Sequence, residues 1–276
     1  MANPIGKAKL GRGKSERTNK HLYSVPALVN KIIYEADIIL EILDARFIEK
    51  TRIPEIEKKV RGLGKTLIYV FNKSDLVDVN KVKANIELEN LKPHVFFSYQ
   101  DRKSAALLKR LLKIEASRLK KDVVNIGVVG YPNSGKSSLI NLLVGRKSAR
   151  TSPEAGYTKG IQKIKISSGI YLIDTPGIIP PAEKTSINRE ILSKQAQIGA
   201  ITWDRTKNPD MVVFRLMKEY PTLLEKYYGI DAQGDSEILI EQLGRRLHYL
   251  KKGNEIDEVR AAKHVLKDWQ KGKIRQ

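Results

Sequence analysis

Gly130-Tyr131-Pro132-Asn133-Ser134-Gly135-Lys136-Ser137 follows the apolar run Val124–Val129 and precedes a stretch of helical composition, Ser138–Val144. No other segment constrains the fold as strongly. A G-x-x-x-x-G-K-[ST] loop between a buried strand and a helix turns backbone N–H groups inward on a phosphate, at a helix N-terminus that already favours anions. The spacing sends Lys136 to the β- and γ-phosphates of a nucleotide and the Ser137 hydroxyl to Mg²⁺. Asn133, Ser134, Gly135 and Ser138 complete the cradle.

The flanking sequence supplies the sheet that such a loop needs. Apolar runs bounded by turn signals lie at Ile38–Leu43, Leu67–Phe71, Val95–Phe97 and Ile170–Ile173, with helix-length stretches such as Ile53–Arg61 and Lys103–Lys121 between them. Short buried strands alternating with helices predict an α/β fold, a doubly wound, mostly parallel sheet of the P-loop NTPase kind. Pro180-Pro181 breaks the pattern, since two prolines continue neither a strand nor a helix. Beyond them the chain reads as helix only. One apolar stripe runs through Val259, Ala262, Val265, Leu266 and Trp269, and another through Ile238, Leu239, Leu243, Leu247 and Leu250. The expected organisation is a flexible basic arm over 1–20, an α/β domain over 21–181 and a small all-helical domain over 182–276.

Composition narrows the function. The chain carries 51 Lys+Arg against 31 Asp+Glu, a formal net charge of +20 that favours a polyanionic partner. The excess is concentrated in the arm, in the helix over 102–121 and in the region from Arg245 onward. With few exposed aromatics expected there, backbone and shape recognition of structured RNA fits better than base stacking. The absence of Cys excludes disulfides, thiolate metal sites and cysteine nucleophiles. No apolar stretch is long enough to span a bilayer and no signal-peptide pattern opens the chain, so a cytoplasmic protein without a membrane partner is expected.

Two further motifs complete a nucleotide site. Asp174 ends an apolar run in Asp174-Thr175-Pro176-Gly177, 38 residues after Lys136, where a carboxylate holds Mg²⁺ and the Gly177 amide faces the γ-phosphate. Thr158, in the loop between the motifs, is placed to close its hydroxyl on Mg²⁺. Asn72-Lys73-Ser74-Asp75 follows the apolar run ending at Phe71. The Asp75 carboxylate there accepts from guanine N1–H and the exocyclic amine, a pairing that adenine cannot offer.

This guanine motif precedes the phosphate loop by 55 residues, whereas it ordinarily follows the D-x-x-G motif. Together with Asp44-Ala45-Arg46, Thr51-Arg52 and Pro54, the order resembles the circularly permuted GTPases of the YlqF/YawG type, which assist assembly of the large ribosomal subunit. The resemblance covers roughly residues 20–180 and continues more loosely into the C-terminal helices, notably 258–273. It implies GTP hydrolysis to GDP and phosphate, with the Ser98 backbone near guanine O6. Tyr99 departs from the family's Ser-Ala at that point. It further implies a monovalent cation, K⁺, at Asn133, and a water-positioning role for His21. The implied partners are rRNA and ribosomal proteins, met by a monomer. Ile178 occupies the position of the water-orienting Gln of Ras-like enzymes, so intrinsic hydrolysis is expected to be slow. A GTP-sensing RNA- or protein-binding module with negligible hydrolysis is the alternative. A basic structural protein with a vestigial pocket fits less well beside intact Lys136, Asp174 and Asp75.

Overall fold

The computed structural model describes residues 25–85, 88–144, 163–173 and 189–275. Six strands form one sheet: β1 (Ile38–Asp44), β2 (Thr66–Asn72), β3 (His94–Phe96), β4 (Val124–Val129), β5 (Lys163–Ser167) and β6 (Ile170–Ile173). Their spatial order is β3-β2-β1-β4-β6-β5, parallel except for the β5–β6 hairpin. Each apolar run read as a strand forms one, with ends shifted by a residue or two. β1 is buried along its whole length, as its mainly Ile and Leu content requires of a strand covered on both faces, although Glu41 stands within it. The edge strand β5 exposes Lys163 and Lys165, charges that oppose edge-to-edge pairing.

Alternate residues of β1 divide the core in two. Ile38, Leu40 and Ile42 face α5 (Arg102–Arg118) and α6 (Lys136–Val144). Ile39 and Leu43 face the other side, beside α1 (Val25–Glu35), α2 (Ile48–Thr51) and α3 (Pro54–Gly62). Lys65, just before β2, closes the end of α1 by donating its Nζ to the carbonyls of Ile33, Tyr34 and Ala36 at 2.6 Å each. A further helix, α4 (Val79–Asn85), follows β2.

The C-terminal helices are α7 (Arg189–Gln197), α8 (Pro209–Glu219), α9 (Leu223–Tyr228), α10 (Ser236–Arg246) and α11 (Glu258–Gln270). Asp235 caps α10 by accepting from Glu237 and Ile238 N–H, and Asp257 caps α11 by accepting from Arg260 N–H. The two stripes differ in detail from the sequence reading. Val259, Ile238 and Leu250 are exposed, while Ala261, Ile240 and Gly244 turn inward, because α8 packs on a sector rotated toward those positions. These helices share their apolar cluster with the α2–α3 side of the sheet. Trp269 is fully buried against Phe47 and Tyr220, at ring separations of 5.6 and 5.4 Å. Residues 1–20 and the expected boundary near 182 lie outside the described residues.

Candidate nucleotide-binding site

In an open parallel sheet, ligands sit beyond the carboxyl ends of the strands where the winding reverses. Here the reversal falls between β1 and β4. Asp44 and Asn72 are register partners at the ends of β1 and β2, and the Ala45 N–H donates to the Asn72 carbonyl at 2.8 Å. β4 ends beside them and opens into the loop at Gly130. Three motifs far apart in sequence therefore meet at one edge.

The loop needs its glycines. Gly130 has a φ of 148°, and a Cβ on it would lie 2.6 Å from the Ile42 carbonyl oxygen. Gly135 has a φ of 97°, and a Cβ there would run into the Asn72 amide nitrogen. Asn72 Nδ2 donates to the Ser134 carbonyl at 2.7 Å, and its Oδ1 accepts from Lys73 N–H at 2.8 Å. The first residue of the base motif is thus a brace on the phosphate loop.

Lys136 starts α6 and is buried, its Nζ donating to the Gly130 and Tyr131 carbonyls at 3.0 and 2.6 Å. Ser134 Oγ is buried without a hydrogen-bond partner among the described residues, a polar group that a phosphate oxygen would satisfy. Ser137 and Ser138 stand half-buried in the first turn of α6. Of the expected Mg²⁺ ligands, Ser137 is described, and its hydroxyl suits the ion as a hard oxygen donor beside the loop. Thr158, Asp174, Gly177 and His21 lie outside the described residues.

On the base side, Lys73 adopts a left-handed φ of 59° and leads into the short 3₁₀ turn Ser74–Leu76 that carries Asp75. The buried Ser98 donates its hydroxyl to Asp75 Oδ1 at 2.6 Å. Its N–H donates to Ser104 Oγ at 3.2 Å, and Ser104 Oγ donates in turn to the Asp101 carbonyl at 2.6 Å. The tie from Ser98 to the base site therefore runs through its side chain to Asp75. Tyr99 is 60% exposed.

Asp44 organises the region more than its motif alone suggested. Its buried carboxylate accepts from Arg46 N–H, Nε and Nη2 at 3.1, 3.0 and 2.8 Å, and from Lys73 Nζ at 2.7 Å. Burial alone would raise its pKa. The charge of Lys73 and the hydrogen bonds of Arg46 outweigh that and hold the carboxyl well below the usual carboxylate range. Arg46 Nη1 donates onward to the Trp269 carbonyl in α11 at 2.9 Å. A charged residue ending an apolar strand was the visible signal, but neither partner was.

Asn133 connects the loop to the same helices. It has a φ of 59°, and its Nδ2 donates to the Gly199 carbonyl at 2.9 Å, which leaves Oδ1 as the atom available to a cation. Gly199 follows α7 in a segment also held by Gln270, whose Nε2 donates to the Ala196 and Ile201 carbonyls at 2.7 and 3.0 Å. Nothing in the sequence linked positions 133 and 199. The remaining histidines are structural or peripheral. His94 stacks on Phe71 at 5.2 Å with its Nδ1 against the Leu91 carbonyl, and burial lowers its pKa. His264 lies between Tyr249 and Asp268, and His248 is exposed.

A family model described as a 50S ribosome-binding GTPase matches residues 125–233. The chain is 37% identical over 256 residues to an uncharacterised GTP-binding protein of Methanocaldococcus jannaschii, covering 91% of this chain and 66% of that one. It is 33% identical over 274 residues to nucleolar GTP-binding protein 2 of Saccharomyces cerevisiae, covering 97% of this chain and 54% of that one. The chain thus spans about half to two thirds of these relatives' own lengths. The GDP-bound structure of YlqF from Thermotoga maritima superposes with a TM-score of 0.67 at 22% identity, over 90% of this chain and 96% of that one. It shares the fold.

Proposed function

We propose that the chain is a circularly permuted GTPase of the YlqF type that hydrolyses GTP to GDP and phosphate to time its binding to, and release from, an assembling large ribosomal subunit. The observation that carries the nucleotide part is the interlock of the two motifs. Asn72 of the base motif is bonded to Ser134 of the phosphate loop, with Gly135 shaped around it, in the permuted order. Asp75, oriented by Ser98, selects guanine, and Lys73 of the same motif is anchored on Asp44.

Lys136 exchanges its loop carbonyls for the β- and γ-phosphates as nucleotide enters. Ser137, with Thr158 and Asp174, would hold Mg²⁺, which would supply charge neutralisation for the phosphates when bound. The Gly177 amide would face the γ-phosphate, and Asn133 would hold K⁺, which would supply further positive charge there. His21 orients the attacking water in place of the missing Gln, and docking on a partner brings it in. The partner reading rests on the net charge of +20 and on the similarity to a 50S ribosome-binding GTPase family and to a nucleolar GTP-binding protein. The arm over 1–20 and the helical domain over 182–276 carry much of that charge to rRNA, with one copy of the chain acting in the cytoplasm.

The test is GTP turnover by the purified protein in K⁺ buffer, with and without large ribosomal subunits. Stimulation by subunits that is lost in Na⁺ is the expected result, with His21→Ala abolishing the stimulated rate but not GTP binding. Ile178 favours a second reading, a GTP-sensing module with negligible hydrolysis. Tight GTP binding with no stimulated turnover would select it.

A further inference from the structure

Several cations of the C-terminal helices are engaged within the protein. Arg245 pairs with Glu241, Arg246 donates to the Tyr228 and Gly229 carbonyls, and Lys273 pairs with Asp268. Arg260 and Lys267 lie over the rings of Tyr249 and Trp203. On α5 most of the cations are left without such partners. Arg102, Lys103, Lys109, Arg110, Lys113 and Lys120, on the helix and just past its end, have no side-chain partner among the described residues. All but the half-buried Lys109 are exposed.

The helix turns these cations outward, with the exposed Leu107 and Ile114 lying among them. Ala105, Leu108, Leu112 and Ala116 pack on the sheet, and the one carboxylate inside the helix, Glu115, is buried and paired with Arg118. Lys103 and Arg110, seven residues apart, run along the outward line with Lys113 beside them. Across its 17 residues, roughly 25 Å long, the outward face offers cations and no acidic side chain. An acidic protein surface would have to supply carboxylates at matching spacing, whereas a nucleic-acid backbone carries closely spaced phosphates everywhere. α5 also covers the sheet face opposite the one shared by the C-terminal helices.

We propose that the outward face of α5 is an RNA-docking surface, separate from any contact made by the C-terminal helices, so that the protein engages RNA from two sides of its sheet. The proposal rests on the RNA-binding reading above and assigns the surface that it uses.

The experiment measures binding of the full chain to a large-subunit rRNA fragment over a range of KCl concentrations. It compares the natural protein with Lys103→Gln/Arg110→Gln/Lys113→Gln and, from the opposite side, Lys251→Gln/Lys252→Gln/Lys271→Gln. Loss of the α5 cations should weaken binding at least about tenfold near physiological salt and reduce the slope of log Kd against log salt by about 2. The thermal midpoint and GTP affinity should stay unchanged, since these side chains are exposed and unpaired. An unchanged slope and Kd in the α5 variant, with the natural protein binding rRNA, would overturn the proposal and leave the RNA reading intact. No rRNA binding by the natural protein at low salt would overturn the RNA reading itself. Retention of rRNA with selective loss of a ribosomal protein in the α5 variant would reassign the face to a protein partner and equally overturn the proposal.

Discussion

At the scale of single residues, the site is governed by a few groups whose alternatives are sterically or electrostatically closed. Gly135 faces the Asn72 amide with a positive φ, so Gly135→Ala meets both a clash and a backbone penalty. Guanine-nucleotide affinity should fall by more than about a hundredfold, as read by titration calorimetry, while the far-UV spectrum persists. Ser98→Ala is a milder change. It removes one hydroxyl donor from Asp75 and leaves the carboxylate freer to turn. A charge-assisted hydrogen bond contributes about 1.5–3 kcal/mol, so GDP affinity should drop by about tenfold or more and discrimination against ADP should narrow. Equal GDP affinity in Ser98→Ala and the natural protein would show that Ser98 has no hold on the base site.

At the scale of elements, β1 contains a residue that its pattern disguises. Glu41 stands in an otherwise apolar strand, completely buried, and accepts from Ile53 N–H at 2.8 Å at the entry to α3. Its other carboxylate oxygen has no partner among the described residues. Burial first, and then the charge of Glu57, pushes its pKa up to about 8 from an ordinary 4.5. Glu57 is itself held below its ordinary value, since Arg52 and the Tyr69 hydroxyl outweigh the effect of burial.

The sign for Glu41 follows from linkage. The folded state binds more protons than the unfolded state between pH 4.5 and about 8, so the contribution of this residue is full below 4.5 and declines as pH rises through 8. Glu41→Gln keeps an acceptor for Ile53 N–H and removes the ionisation. Urea unfolding should then show the variant gaining stability relative to the natural protein as pH goes from 6 to 9. A constant difference between the two across that range would count against a neutral Glu41.

At the scale of the molecule, the C-terminal helices are joined to both halves of the nucleotide site. Lys73 of the base motif is bonded to Asp44, Asp44 to Arg46, and Arg46 to the Trp269 carbonyl. Asn133 of the phosphate loop is bonded to Gly199, in the segment clasped by Gln270. A change at either motif therefore has a bonded route to α11. Arg46→Met keeps much of the aliphatic stem and removes the guanidinium. Breaking one partner out of a buried ionic network costs about 3–5 kcal/mol, so the urea midpoint should fall strongly. Under conditions where the variant is folded, protease cleavage between 189 and 276 should accelerate. An unchanged cleavage pattern would show that the Trp269 contact does not hold the helices in place.

The strands, the phosphate loop and the base motif were legible in the residues alone. Each is written locally: β1, β2 and β4 as mostly apolar runs, the loop as glycines at fixed spacing around Lys136, and the base motif as Asn72-Lys73-Ser74-Asp75. Such signals survive because backbone geometry and strand burial depend on neighbours in the chain. The order of the motifs was legible too, and it carried the permutation. Tertiary structure alone decided which side chains those motifs lean on. Asn72 against Ser134, Arg46 against Trp269, Asn133 against Gly199 and Ser104 beneath Ser98 are hydrogen bonds whose partners are set by how elements pack. The same packing gives several C-terminal cations, Arg245 and Lys273 among them, an internal carboxylate and leaves Lys103, Arg110 and Lys113 of α5 outward without one. Charge along a chain counts ionisable groups, and only the fold decides which of them already have partners.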